Sequence, residues 1–213
     1  MQTGDHVSGA LQDLCTGTVR LASRGVADFV PADRDWSLLQ MLGSDVLIAH
    51  RVDEAEHDRR QRDGLGALLS SDHLELLMSL PVGWPVPVPS LSHCDQRTLR
   101  RMPRGSVRIA AGAAERLAVR PARVDLAVVP ARRWRAGLER AGRFAPFTAR
   151  MMWLQRMPLD VDIMVRESRR FGVGVMVGPS EQAEVLVPPA PFIQRRFTAA
   201  GWLFTEQAYQ QLR

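Results

Sequence analysis

The sequence predicts a mixed fold, α+β or α/β, with a helical acidic N-terminal region and a basic α/β C-terminal domain. Three observations predict it. Helical signals dominate residues 1–80. After residue 121, short β-rich runs alternate with helical segments, which is the pattern of α/β packing. Charge also changes sign along the chain: residues 1–96 hold 7 Arg against 14 acids, and residues 97–213 hold 21 Arg against 9.

Each element has its own signal. Val7, Leu11, Leu14, Cys15, Ala22, Val26 and Phe29 recur near the helical period and predict a helix over 7–29. Residues 35–52 read either way, with a short strand at 45–49. A polar helix follows over 53–62. Ser71 is placed to cap a helix that Pro81 stops. Residues 81–90, PVGWPVPVPS, favour extended backbone, because Pro lacks an N–H donor. This run predicts a boundary between residues 1–80 and a basic element over 91–120. Ser92 and Asp95 have capping-box spacing, and Pro103 ends that helix. Val107–Ala110 and Arg116–Arg120 flank a hairpin turn. In the last stretch, 121–213, strands are expected at 124–129, 148–155, 172–177 and 184–187. Helices are expected at 130–143, 161–170 and 197–212.

Composition excludes several chemistries. The chain of 213 residues contains no Lys and no Asn, so all 28 basic groups are Arg. A P-loop, a pyridoxal Schiff base and a Ser-x-x-Lys acyl enzyme each require a lysine. The bias follows GC-rich codons and points to a bacterial genome. The absence of Lys is therefore no nucleic-acid signal, whereas the placement of the arginines is one. Two cysteines, Cys15 and Cys94, make no disulfide framework or zinc motif. A cytoplasmic protein without cofactor or membrane partner is expected, with a homodimer open.

The first candidate site combines a basic helix with a hairpin. Arg97, Arg100, Arg101 and Arg104 lie on or just after the Ser92 helix, and Arg108 lies on the hairpin. This order resembles a winged helix, which implies a helix in the major groove and a hairpin against phosphates. A helix-turn-helix also wants a turn of about 3–4 residues, whereas the preceding helix ends more than ten residues earlier. Arg132, Arg133 and Arg140 extend the basic surface beside Trp134. Asp125 and Glu167 are the acids placed to hold Mg²⁺ for phosphodiester cleavage. The surroundings of Glu167 resemble a restriction-type Glu-x-Lys with Arg169 in place of the lysine. His50, Glu54 and His57 would share one face if residues 50–57 were helical, and would offer metal ligands.

Together these features predict a DNA-binding protein, with regulation of transcription as its expected role, that contacts duplex DNA through its Arg-rich half. One alternative is a non-catalytic subunit whose arginines meet an acidic protein surface. The other is a Mg²⁺-dependent nuclease.

Overall fold

The computed structural model describes residues 26–179 and 182–213, and most of the helix expected over 7–29 lies outside them. The chain is mixed α and β, with six α-helices among the described residues. It divides into two compact units, and neither is a continuous stretch. The first comprises residues 1–51 and 124–193, the second 52–123 and 194–213. The boundary expected at 81–90 falls inside the second unit, and the expected blocks 1–80, 91–120 and 121–213 are not the structural ones.

The first unit is built on a six-stranded sheet, ordered β1-β2-β6-β7-β8-β9. Strands β1 (Asp35–Met41) and β2 (Ser44–Val52) form an antiparallel hairpin. The expected helical character of residues 1–80 therefore fails over this stretch. The turn is Leu42-Gly43, with φ of +51° and +72°. Two positive φ values match the right-handed twist of the strands. Strand β6 (Ala122–Ala131) has the unbroken buried run Leu126–Val129 of a central strand. It pairs parallel with β7 (Ala149–Leu154), which pairs parallel with β8 (Gly174–Val177). Strand β9 (Glu184–Val187) closes the edge antiparallel.

Helix α4 (Trp134–Gly142) joins β6 to β7, and α5 (Val161–Phe171) joins β7 to β8. Gly137 lets α4 lie on the sheet: a Cβ there would stand 2.8 Å from Ala131 Cβ and 3.0 Å from Met152 Sδ. Pro130 does not start this helix, as expected from sequence; it stays in β6 opposite Trp153. Val26 and Val30 belong to a core cluster with Leu47, Leu126, Val128, Met151 and Met176.

The second unit holds α1 (Glu54–Asp63), α2 (Ser71–Ser79), α3 (His93–Leu99) and α6 (Ala199–Leu212). Its sheet has three strands, β3 (Val86–Pro87), β4 (Val107–Ala110) and β5 (Ala113–Arg116), in the order β3-β5-β4. Prolines suit β3 because it is an edge strand, where a missing N–H costs least. Ser92 Oγ accepts from Asp95 N at 3.1 Å, as the capping spacing predicts. Leu65, Leu68, Leu74, Leu77 and Trp202 pack into one cluster, and Leu76, Leu80, Leu99 and Ala114 into another.

Beneath α1 lies a buried ion cluster. Arg60, fully buried, donates bidentately to the Glu206 carboxylate at 2.8 Å and from Nε to Glu56 Oε1 at 2.6 Å. Its Nη2 also donates to Val119 O at 2.9 Å. Glu206 further accepts from Leu68 N and Trp202 Nε1, each at 2.9 Å. Burial pushes the Glu56 carboxyl up, but hydrogen bonds from Arg59 and Arg60 outweigh this and hold it below the ordinary range. A depressed carboxylate stabilises the fold above its unfolded pKa, and that contribution is lost as pH falls through its folded value.

Candidate nucleic-acid interface

Helix α3 is fixed from both ends. Ser92 caps its start, and buried Leu99 anchors it against Leu76, Leu80 and Ala114. Arg97 lies in the last turn of the helix, Arg100 is its C-cap, and Arg101 follows in the turn closed by Arg101 N on Thr98 O. All three are exposed, as is Arg104 after Pro103. Arg97 Nη2 lies 3.3 Å from Cys94 Sγ. The side chains of Arg100, Arg101 and Arg104 make no hydrogen bond or ion pair among the described residues. The nearby Asp95 carboxylate accepts from Ser92 Oγ at 2.7 Å. The result is four exposed cations within eight residues, undiluted by a paired acid.

The hairpin departs from expectation. Arg108 pairs across the strands with Glu115, its Nε donating at 3.0 Å. Arg116 turns inward, donating to Ala118 O at 2.9 Å and Leu77 O at 3.1 Å, and stacks 4.6 Å from the Trp202 ring. Arg120 stacks 4.7 Å from the Phe197 ring. Burial pushes both guanidinium groups below their ordinary pKa. The tip, residues 110–113, is Ala-Ala-Gly-Ala. The hairpin thus offers shape rather than charge.

In the first unit, Arg132 and Arg133 are exposed where β6 ends. Arg140 does not extend this surface: it folds back to donate to Pro130 O at 3.1 Å and Ala136 O at 3.3 Å. Trp134 is buried, with Nε1 donating to Asp160 at 2.9 Å, so its indole is held in the packing beside Arg135.

The candidate carboxylates occupy other places. Asp125 pairs with Arg34, and both side chains are largely buried. It lies at the amino end of β6, whereas ligand sites of parallel sheets open at the carboxyl ends. Glu167 is in the second half of α5, 3.9 Å from Arg166 Nε. Neither placement makes a cation site for phosphodiester cleavage.

The metal reading loses its geometric premise. His50 lies on β2, while Glu54 and His57 lie on α1, which begins only after Asp53. His57 Nδ1 meets the Tyr209 hydroxyl at 2.9 Å. No group of three His, Cys, Asp or Glu residues apt for a metal occurs among the described residues.

A Ser–His pair was not legible in the sequence. Ser37 Oγ stands 2.9 Å from His50 Nε2, and His50 Nδ1 has no partner among the described residues. If Ser37 donated to Nε2, Nδ1–H would be an orphaned buried donor, a costly state. The tautomer with Nε2–H donating costs less, and it has no lone pair to activate the serine. The pair is therefore a cross-strand tie rather than a catalytic dyad. Burial pushes the His50 pKa down, with Asp35 opposing it. The folded state then resists a proton that the unfolded chain accepts, so stability falls as pH drops below about 6.5. His50→Gln should flatten this limb in thermal melts between about pH 7 and 5; an unchanged limb would disprove the assignment.

An open depression of the same unit is bordered by Asp28, Phe29, Glu184, Val185 and Pro188. Among the described residues it is lined by two carboxylates and no cation, which does not suit a polyanion.

Comparison of the chain with family models, with curated proteins and with solved structures returns no match.

Proposed function

We propose that the second unit binds duplex DNA through α3 and the segment that follows it. The observation that carries this reading is the set of exposed, acid-free cations Arg97, Arg100, Arg101 and Arg104 on an anchored helix and the turns that follow it. The surrounding order supports it. Helix α2, strand β3, helix α3 and the β4–β5 hairpin follow one another, and the far strand of the hairpin pairs back on β3. That order resembles a winged helix, which would present one helix to the major groove. The long gap before α3 holds a 3-10 turn at Val88–Ser90, where a helix-turn-helix would have a full helix. Arginine forks suit phosphate oxygens and guanine edges. With no catalytic constellation at this surface, a regulator of transcription is the class that fits it.

The test is a salt titration of the full chain on a duplex of about 30 base pairs. With four phosphates neutralised, log K should fall against log salt with a slope of about −3 to −4. A flat response sinks the reading.

One observation favours a protein partner instead. Trp84 is 73% exposed, with Val82 and Ile109 also exposed on residues that flank or form the small sheet. A flat salt response together with loss of partner capture in Trp84→Ala would favour that alternative.

A further inference from the structure

The parallel strands of the first unit end level with one another, since Ala131, Leu154 and Val177 are register partners in turn. Neighbouring strands lie about 4.8 Å apart, so the residues just beyond these ends share one edge. Arg132 and Arg133 follow β6, and Gln155 and Arg156 follow β7. All three arginines are exposed, and none of their side chains makes an ion pair or hydrogen bond among the described residues.

This edge has an electrostatic conflict built into it. Helix α4 starts here with Arg133 in the N-cap position, no side-chain cap and no acid in its first turn. The N-terminus of a helix carries partial positive charge and favours anions, so cations placed there are mutually unfavourable. The acid that would relieve them is committed elsewhere: Asp160 accepts from Trp134 Nε1 at 2.9 Å and pairs with Arg135 at 3.0 Å. Asp160 is itself the N-cap of α5, yet it makes no capping bond. Two helix starts and three arginines without side-chain partners among the described residues therefore converge on one edge, where Asp160 is already paired and Asp162 lies in the first turn of α5.

We propose that this edge binds a small molecule carrying two or more phosphate groups, held by Arg132, Arg133 and Arg156. The site is independent of the DNA surface on the second unit. A nucleoside triphosphate and inorganic triphosphate share the required chemistry. The carboxyl edge of parallel strands is where such ligands collect in doubly wound sheets.

The experiment titrates the full chain at low salt with inorganic triphosphate, ATP and adenosine, reading heat and thermal midpoint. Triphosphate should bind saturably and raise the midpoint, because a ligand of the folded state stabilises it. Adenosine should do neither. Equal affinity for ATP and triphosphate means that the site reads phosphate alone; tighter ATP means that a base is read as well. Both outcomes support the site. Arg132→Ala with Arg156→Ala should weaken triphosphate at least tenfold, whereas Arg169→Ala with Arg170→Ala, at the far end of α5, should not. Arg133→Ser supplies a normal cap, so it should raise the midpoint of the free protein while weakening triphosphate. A wild-type chain that binds neither phosphate compound would overturn the proposal. So would a double variant that binds as the wild type does, or a double variant that loses duplex DNA instead.

Discussion

Glu206→Ala should destabilise the protein by about 3–5 kcal/mol, more than any surface substitution. The carboxylate is fully buried and has four partners: both terminal nitrogens of Arg60, Leu68 N and Trp202 Nε1. Its removal leaves a buried guanidinium with only Glu56 and backbone carbonyls, and it orphans two N–H donors. In a chain of this size each kcal/mol moves the melting midpoint by about 2–4 °C, so circular dichroism resolves the effect easily. A loss below about 1 kcal/mol would show that water replaces the carboxylate and that the cluster is not sealed. Arg60→Met combined with Glu206→Leu is the informative companion. Replacing both charges avoids the uncompensated ion, so the double variant should lose less than the sum of its singles.

That cluster also shows why the division into units was hidden. Residues 53–63 have the composition of a solvated helix, and nothing local distinguishes buried Arg60 from exposed Arg62. The distinction comes from residues 194–213, which return to complete the second unit. A pairing 146 positions apart leaves no periodic trace. The proline run was legible as a break in helix but not as an edge strand, because both require the same extended backbone. The β1–β2 hairpin escaped for a different reason. Its turn uses Leu42 with positive φ where Asn is the usual signal, so only Gly43 marked it. Signals closed within a few residues were read correctly: the Ser92 cap, the valine-rich strands after residue 121, and α5.

The site was legible in part for the same reason. The exposure of Arg97 follows from helical spacing once Ser92 and Leu99 fix the phase of α3, and Arg100 and Arg101 follow directly at its C-terminal end. The fates of Arg108, Arg116 and Arg140 depend on partners supplied by a neighbouring strand, by α6 and by backbone carbonyls. The charge split by halves dissolves as well. The first unit carries 14 Arg against 13 acids and the second 14 against 10, so net charges are +1 and +4.

These fates sort the arginines into two classes that duplex binding should separate. Replacing Arg97, Arg100, Arg101 and Arg104 together with Ala should remove about four phosphate contacts, lowering the salt slope by about 3–4. Affinity at low salt should fall at least about 100-fold, since charge-assisted hydrogen bonds contribute about 1.5–3 kcal/mol each before losses to non-additivity. Folding should be nearly unchanged, because the exposed heads support no packing. Arg108→Ala should leave the slope alone, because Glu115 already neutralises that guanidinium. Arg116→Ala should act in the opposite sense. It removes hydrogen bonds to Leu77 O and Ala118 O and the stack on Trp202, so the midpoint falls while the slope at a permissive temperature stays. An equal slope change in all three variants would mean that binding tracks net charge alone, and α3 would then lose its claim to be the contact surface. A slope change confined to the quadruple variant ties binding to α3 and the turns after it, because of the three variants only this one removes cations that are both exposed and unpaired.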